Sequence, residues 1–280
     1  MGNVIEVEDL FFRYRDNTEA LRGLSLSIAQ GSRVAILGPN GAGKSTLLLH
    51  LNGIYIPQKG KVRVLGKEIS SETDRWVKGK VGLVFQDPDD QVFSSSVWED
   101  VAFGPFNMGL SLPEVRNRVE KALCAVQMEN FWDKAPYHLS YGQKKRVAIA
   151  GVLAMEPEII ILDEPMGYLD PRGKETLLSI LNELNKENIT VVIATHDVDL
   201  AAEWADRVVI LKSGRVLAEG SVGLLTDDDM IKEADLRLPV VAQIFRRLPE
   251  LRLSQLPVKV DEAVGVIRRF LPGLPETGTI

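Results

Sequence analysis

Apolar residues recur at two different periods along this chain, and the changes of period mark its organisation. Ile5 and Val7, then Leu24, Leu26 and Ile28, alternate with polar neighbours and predict half-buried strands. Residues 34–37 form an unbroken aliphatic run that ends at Gly38, the pattern of a strand buried on both faces of a parallel sheet. Residues 45–51 read as a helix, so strand, glycine-rich loop and helix follow in order. Residues 61–65 and 80–85 are further strand candidates, punctuated by Gly60 and Gly66.

Between about residues 87 and 155 the period lengthens. Ser111 and Glu114 form a capping-box pair, and Val115, Val119, Ala122, Leu123 and Val126 follow at helical spacing. Strands and helices alternate again from Glu158. Residues 159–162 are a buried strand, and Asp170-Pro171 reads as an N-cap and first helical position ahead of Leu177, Leu181 and Leu184. Residues 189–194 are the next strand, and 208–217 read as a hairpin turning at Ser213-Gly214. Such alternation predicts an α/β core with a mainly parallel sheet, interrupted by a helical subdomain at about 87–155. After about residue 226 the pattern is helical: Val241, Ile244, Phe245 and Leu248 fall on one face, as do Val260, Val264, Ile267 and Leu271. The expected division is therefore a main domain over 1–225 and a helical extension over 226–280.

Composition narrows the partners. A net charge of −6 over 280 residues argues against nucleic acid, which requires a basic face. The longest uninterrupted apolar run, 147–155, is far short of the ~20 residues that a membrane-spanning helix needs. The first nine residues carry acids and little apolar character, unlike a secretory signal. Cys124 is the only cysteine, so no internal disulfide is expected.

The chemistry is concentrated in a few short stretches. GPNGAGKS at 38–45 matches the phosphate-loop pattern: Gly38, Pro39, Asn40, Gly41, Ala42 and Gly43 let backbone N–H groups converge on phosphates at a helix N-terminus. Lys44 is expected to reach the β- and γ-phosphates of ATP, Ser45 to ligate Mg²⁺, and Thr46 to add a phosphate hydrogen bond. Asp163 and Glu164 close the strand 159–162; an acid pair before Pro165 also suits a surface turn, but beside a phosphate loop one carboxylate can hold Mg²⁺ and the next polarise water. LSYGQ at 139–143, taken alone, is an ordinary helix N-cap.

Together these elements resemble the nucleotide-binding subunit of ABC transporters. The phosphate loop and acid pair are joined by Gln86 as the Q-loop glutamine, by Leu139, Ser140, Tyr141, Gly142 and Gln143 as the signature motif, by Asp170 as the D-loop aspartate and by His196 as the switch histidine. Tyr14 matches the aromatic that stacks on adenine, although Phe11 and Phe12 are neighbours and any of the three suits a core. The resemblance implies a P-loop NTPase fold of ABC type. That fold has an N-terminal antiparallel β-subdomain, an inserted helical subdomain and, here, a small C-terminal helical extension. It implies a transport ATPase whose two copies close head-to-tail on ATP, the signature of one facing the phosphate loop of the other. Glu164, His196 and Gln86 then act in hydrolysis, and Ser45, Gln86 and Asp163 hold Mg²⁺.

Residues 85–105, 114–123 and 139–157 are similar to those of energy-coupling factor importers, nearest to the cobalt or nickel (CbiO-like) branch, with a vitamin importer as the alternative. That implies a transmembrane coupling protein and a substrate-binding membrane subunit as partners, and a peripheral place on the cytoplasmic face of the membrane. Residues 87–93 are the expected partner groove, on the strength of Val92 and Phe93. A soluble ABC-type ATPase acting on nucleic acid is a further alternative, disfavoured because such proteins usually carry two cassettes, a long coiled-coil insertion or basic extensions, none of which this sequence shows. Two departures stand out: the D-loop reads MGYLD at 166–170, and Tyr141 replaces the commoner glycine of the signature.

Overall fold

The buried aliphatic runs become the centre of a parallel sheet, and the alternating segments become a separate antiparallel one. In the computed structural model, which describes residues 2–270, the chain opens with β1 (Asn3–Arg13), β2 (Glu19–Ala29), β3 (Arg33–Leu37) and α1 (Lys44–Leu51). β4 (Lys59–Val64), β5 (Lys67–Glu68), α2 (Asp74–Lys80) and β6 (Val81–Val84) follow. Helices α3 (Val97–Asn107), α4 (Leu112–Ala125) and α5 (Tyr141–Leu153) intervene before β7 (Ile159–Asp163). Then come α6 (Pro171–Lys186), β8 (Thr190–Thr195), α7 (Val198–Trp204) and the hairpin β9 (Arg207–Lys212) and β10 (Arg215–Ser221). The helices α8 (Asp228–Glu233), α9 (Val240–Arg246) and α10 (Val260–Phe270) end the described residues.

The six-stranded sheet runs β10-β9-β3-β8-β7-β6, with β6, β7, β8, β3 and β9 parallel and β10 antiparallel at the edge. Its central strands separate two cores, because successive side chains of a strand point to opposite faces. Ala35, Leu37, Ile160 and Leu162 pack with α3–α6, whereas Val34, Ile36, Ile159 and Ile161 pack with α1 and the β2-β1-β4-β5 sheet. This arrangement puts the carboxyl ends of β3, β6, β7 and β8 along one edge, where ligands bind in α/β sheets. Gly82 lets α5 approach β6 closely, since a Cβ there would stand 2.1 Å from Val152. The Ser111–Glu114 capping box forms as expected, and the β9–β10 turn uses Ser213 and Gly214 at φ 50° and 77°.

Two expectations are corrected. The stretch from Asp87 is not helical until Val97: Pro88 and the Ser94–Ser96 run hold it as a loop with one 3₁₀ turn, whose N–H at Asp89 is capped by Asp87 Oδ1. In α9 the packed pair is Ala242 and Phe245, while Ile244 and Leu248 are exposed. A seven-residue helix presents only one narrow stripe inward, and here it falls on the i, i+3 pair. Val260, Val264 and Ile267 do share a face of α10, but that face is exposed; Leu271 lies outside the described residues.

Candidate functional site

Gly38–Ser45 connects β3 to α1, and its backbone is committed to a shape that side chains would spoil. Gly43, the residue capping α1, has φ 101°, and a Cβ there would meet the Ala20 carbonyl oxygen at 2.7 Å. Asn40, Gly41, Ala42, Gly43, Lys44, Ser45 and Thr46 line a cleft of about 370 Å³, together with Tyr14, Gln86, Asp163, Glu164 and His196. Gly38 and Pro39 are not among the lining residues. Their carbonyls accept hydrogen bonds from Lys44 Nζ at 2.7 and 3.2 Å. Burial lowers the Lys44 ammonium from its ordinary value, and the nearby carboxylates of Glu164 and Asp163 oppose that shift.

The end of β7 supplies the acids. Asp163 is pushed up by burial, with Glu164 adding to the effect and a hydrogen bond from Ser45 opposing it. Glu164 sits at φ 40°, where the chain turns out of the sheet, and its N–H still donates to Ala194 O at 2.9 Å. Its Oε2 accepts from Thr195 Oγ1 at 3.0 Å, its Oε1 lies 2.8 Å from His196 Nδ1, and Lys44 Nζ is 3.9 Å away. Two adjacent residues at the end of β8 thus aim the Glu164 carboxylate into the cleft. Thr195 was not among the sequence candidates; its place next to His196 at the strand end is the signal that marks it.

Tyr14 reaches the same cleft, its hydroxyl 2.8 Å from Thr46 Oγ1. Phe12 instead stacks on Tyr55 at 4.8 Å, and Phe11 lies under Lys59, so of the three aromatics Tyr14 alone lines the cleft. His50 is fully buried edge-on to Phe12, with Nδ1 2.8 Å from Thr46 O.

The residues expected to form the signature and D-loop lie elsewhere. Ser140, Gly142, Gln143 and Asp170 line a second cleft of about 250 Å³ that shares no residue with the first. Ser140 caps α5, accepting from Gln143 N–H at 3.3 Å while Gln143 Oε1 accepts from Ser140 N–H at 2.9 Å. Asp170 caps α6 through Gly173 N–H at 2.7 Å. Leu139 is buried in the helical core and anchors the turn from behind. Tyr141 turns the other way, its hydroxyl donating to Gln86 O at 3.0 Å. Lys145, another residue outside the sequence candidates, donates to Phe85 O at 3.0 Å and to Gln86 O at 2.6 Å. A lysine within a helix gives no sequence signal for that role.

The chain is similar to known proteins in sequence and in fold. The sequence profile of the ABC transporter family matches residues 21–167. The chain is 51% identical to the energy-coupling factor transporter ATP-binding protein EcfA of Carboxydothermus hydrogenoformans, over 97% of this chain and all of the relative. It is 49% identical to EcfA of Methanocaldococcus jannaschii, over 95% and 96% of the two chains. Among solved structures, cbiO1 of Clostridium perfringens, described as part of the ABC transporter complex cbiONQ, superposes with a TM-score of 0.75 at 43% identity, covering 88% of this chain and 100% of that one. The ATP-binding cassette MJ0796, seen as a dimer in a post-hydrolysis state with ADP and Pi, gives 0.71 at 30% identity over 78% and 98%. By these likenesses the chain belongs to the ABC transporter family, as an ATP-binding ATPase subunit of the energy-coupling factor type.

Proposed function

We propose that this subunit energises an importer of cobalt or nickel ions, as one half of a head-to-tail pair on the cytoplasmic face of the membrane. The observation that carries the reading is the separation of the chemistry into two clefts with no residue in common. One holds the phosphate loop and carboxylates, the other the donors of the signature and D-loop, and neither is a complete hydrolytic site. Two copies related by a twofold axis would join the first cleft of each to the second cleft of the other.

In that pair, ATP lies on residues 38–46 with its adenine against Tyr14. In the other copy the Ser140 hydroxyl, the N–H groups of Tyr141 and Gly142 that the capping box leaves free, and the positive end of α5 would face the γ-phosphate. Lys44 offsets phosphate charge. Glu164 accepts the proton of the attacking water, held in place by Thr195 and His196. Gln86 reaches the same water from the end of β6. Asp163, Ser45 and the Gln86 amide offer hard oxygen donors at the cleft floor, a set that suits Mg²⁺. When bound, Mg²⁺ supplies charge neutralisation at the β- and γ-phosphates. Closure on ATP and reopening after hydrolysis would move a transmembrane coupling protein, which works with a substrate-binding membrane subunit.

The coupling surface is narrower than the sequence suggests. Val92 is buried, and Gln91 is occupied with β6, its amide bonding Phe85 N–H and Leu83 O. Phe93 is 66% exposed, edge-on to Phe103 at 5.3 Å, and Phe106 is exposed nearby in α3. These rings form the docking face. Among the described residues no helix is long and apolar enough to cross a membrane, so attachment would rest on such a surface.

Purification of the tagged subunit from membranes, followed by uptake assays with radiolabelled cobalt, nickel and vitamins in cells carrying the co-purified partners, tests the proposal. ATP-dependent accumulation of Co²⁺ or Ni²⁺ supports it. Accumulation of a vitamin alone would overturn the metal assignment and leave the transport ATPase intact.

A further inference from the structure

The two departures noted in the sequence, in the signature and in the D-loop, touch one another through their tyrosines. Tyr141, in the signature, meets Tyr168, in the D-loop, with ring centroids 5.5 Å apart and planes at 68°. Edge-to-face pairs of this kind are attractive beyond their buried area. Tyr168 is held out at 83% exposure by a backbone at φ 59°. On its other side Tyr141 gives its hydroxyl to Gln86 O, the carbonyl that also receives Lys145 Nζ. Burial, with Asp87 close by, pushes the Tyr141 phenol up from its ordinary value.

Three ties therefore run from the first turns of α5 to the segment after β6: Tyr141 to Gln86, Lys145 to Phe85 and Gln86, and Lys144 to Asp89 at 2.6 Å. The last is a surface pair of small consequence. The first two fix the peptide whose side chain reaches the phosphate cleft. Gln91 fixes the same segment from the sheet side. A glycine at position 141 would leave the Gln86 carbonyl with Lys145 alone, and Tyr168 without its aromatic neighbour.

We propose that Tyr141 is a positioning residue for ATP hydrolysis, locking the Gln86 peptide to the signature helix, and that Tyr168 acts through it by holding the Tyr141 ring in place. The chain carries a direct link from D-loop to signature to Q-loop within one subunit. The inference rests on the transport-ATPase reading for its rate assay and stands apart from that reading in its exchange assay.

The test compares Tyr141→Phe, which keeps the ring and deletes the hydroxyl, with Tyr168→Ala and the double variant, in the full chain. One hydrogen bond corresponds to roughly a 2–10-fold change in rate. Tyr141→Phe should lower kcat by that factor with KM for ATP unchanged, and should lose no more stability than one hydrogen bond supplies. The double variant should be no slower than the slower single variant, since Tyr168 works through the hydroxyl already removed. Hydrogen–deuterium exchange should rise in Tyr141→Phe for peptides spanning 85–91 and remain level across β3 and α1. Wild-type rates together with unchanged exchange at 85–91 would overturn the proposal. A purely structural role would instead appear as lost stability with kcat and KM shifted together. Absence of hydrolysis in the wild type would count against the transport-ATPase reading, and the exchange result would still decide the latch.

Discussion

Lys145 is buried to 1% exposure, yet it carries an ammonium whose hydrogen-bond partners are backbone carbonyls. Burial drives its pKa down to about 8 from the ordinary 10.5, against the opposing pull of Asp87 and Asp163. A lysine depressed on folding holds its proton less tightly in the folded chain than in the unfolded one. Below about pH 8 both states are charged and the folded state bears the full desolvation penalty. Between about pH 8 and 10.5 the unfolded chain keeps the proton that the folded chain has released, so stability rises with pH through that window. From pH 7.5 to 9.5 the gain works out at about 2 kcal/mol. Lys145→Met, close in length and without charge, removes the titration. Urea unfolding of both proteins at pH 7.5, 8.5 and 9.5 reads the effect, and the difference between them cancels the remaining titrations. The wild type should gain about 2 kcal/mol on the variant across the range. A difference that stays level or reverses would show that the ammonium is not desolvated, and the tie between α5 and the Gln86 loop would need another origin.

Other perturbations separate the parts of the site. Glu164→Gln should retain ATP-driven pairing, seen by light scattering, and lower turnover by about 10²–10⁴-fold as expected for loss of a general base; undiminished hydrolysis would assign the proton to another group. Gly43→Ala places a methyl against the Ala20 carbonyl at a positive φ, so nucleotide affinity by calorimetry should fall at least about tenfold while circular dichroism is preserved. Phe93→Asp should release the subunit from its membrane partner with ATP affinity unchanged; retention in the complex would move the docking face away from the Phe93–Phe103 pair.

The elements that sequence pattern revealed are those whose side chains face a single environment. The unbroken run before Gly38 and the run before Asp163 are buried on both faces, and both became central strands. The phosphate loop was legible because its chemistry constrains backbone and side chain together. Less legible were residues whose role depends on what folds next to them. The stretch 87–96 looked helical from its flanks but is shaped by Pro88 and a run of serines. Val92, an apolar residue in an otherwise polar stretch, is turned inward by the fold. Lys145 and Tyr141 act on a carbonyl more than fifty residues away in sequence, a distance over which no local period carries information. Of the face expected for α9 only Phe245 is buried, with Ala242 beside it, because seven residues are too few to define a face.

The shared pocket is tested most directly by mixing two inactive variants, Lys44→Ala and Ser140→Ala, and measuring ATP turnover. In the proposed pair each variant alone lacks one half of every site, and loss of a preorganised donor typically costs about 10²–10³ in rate. In a mixed pair one of the two composite sites joins an intact phosphate loop to an intact signature. An equimolar mixture should therefore regain up to about a quarter of the wild-type rate. Turnover that stays at the sum of the separate variants, while light scattering shows mixed pairs forming, would contradict a site built from two copies.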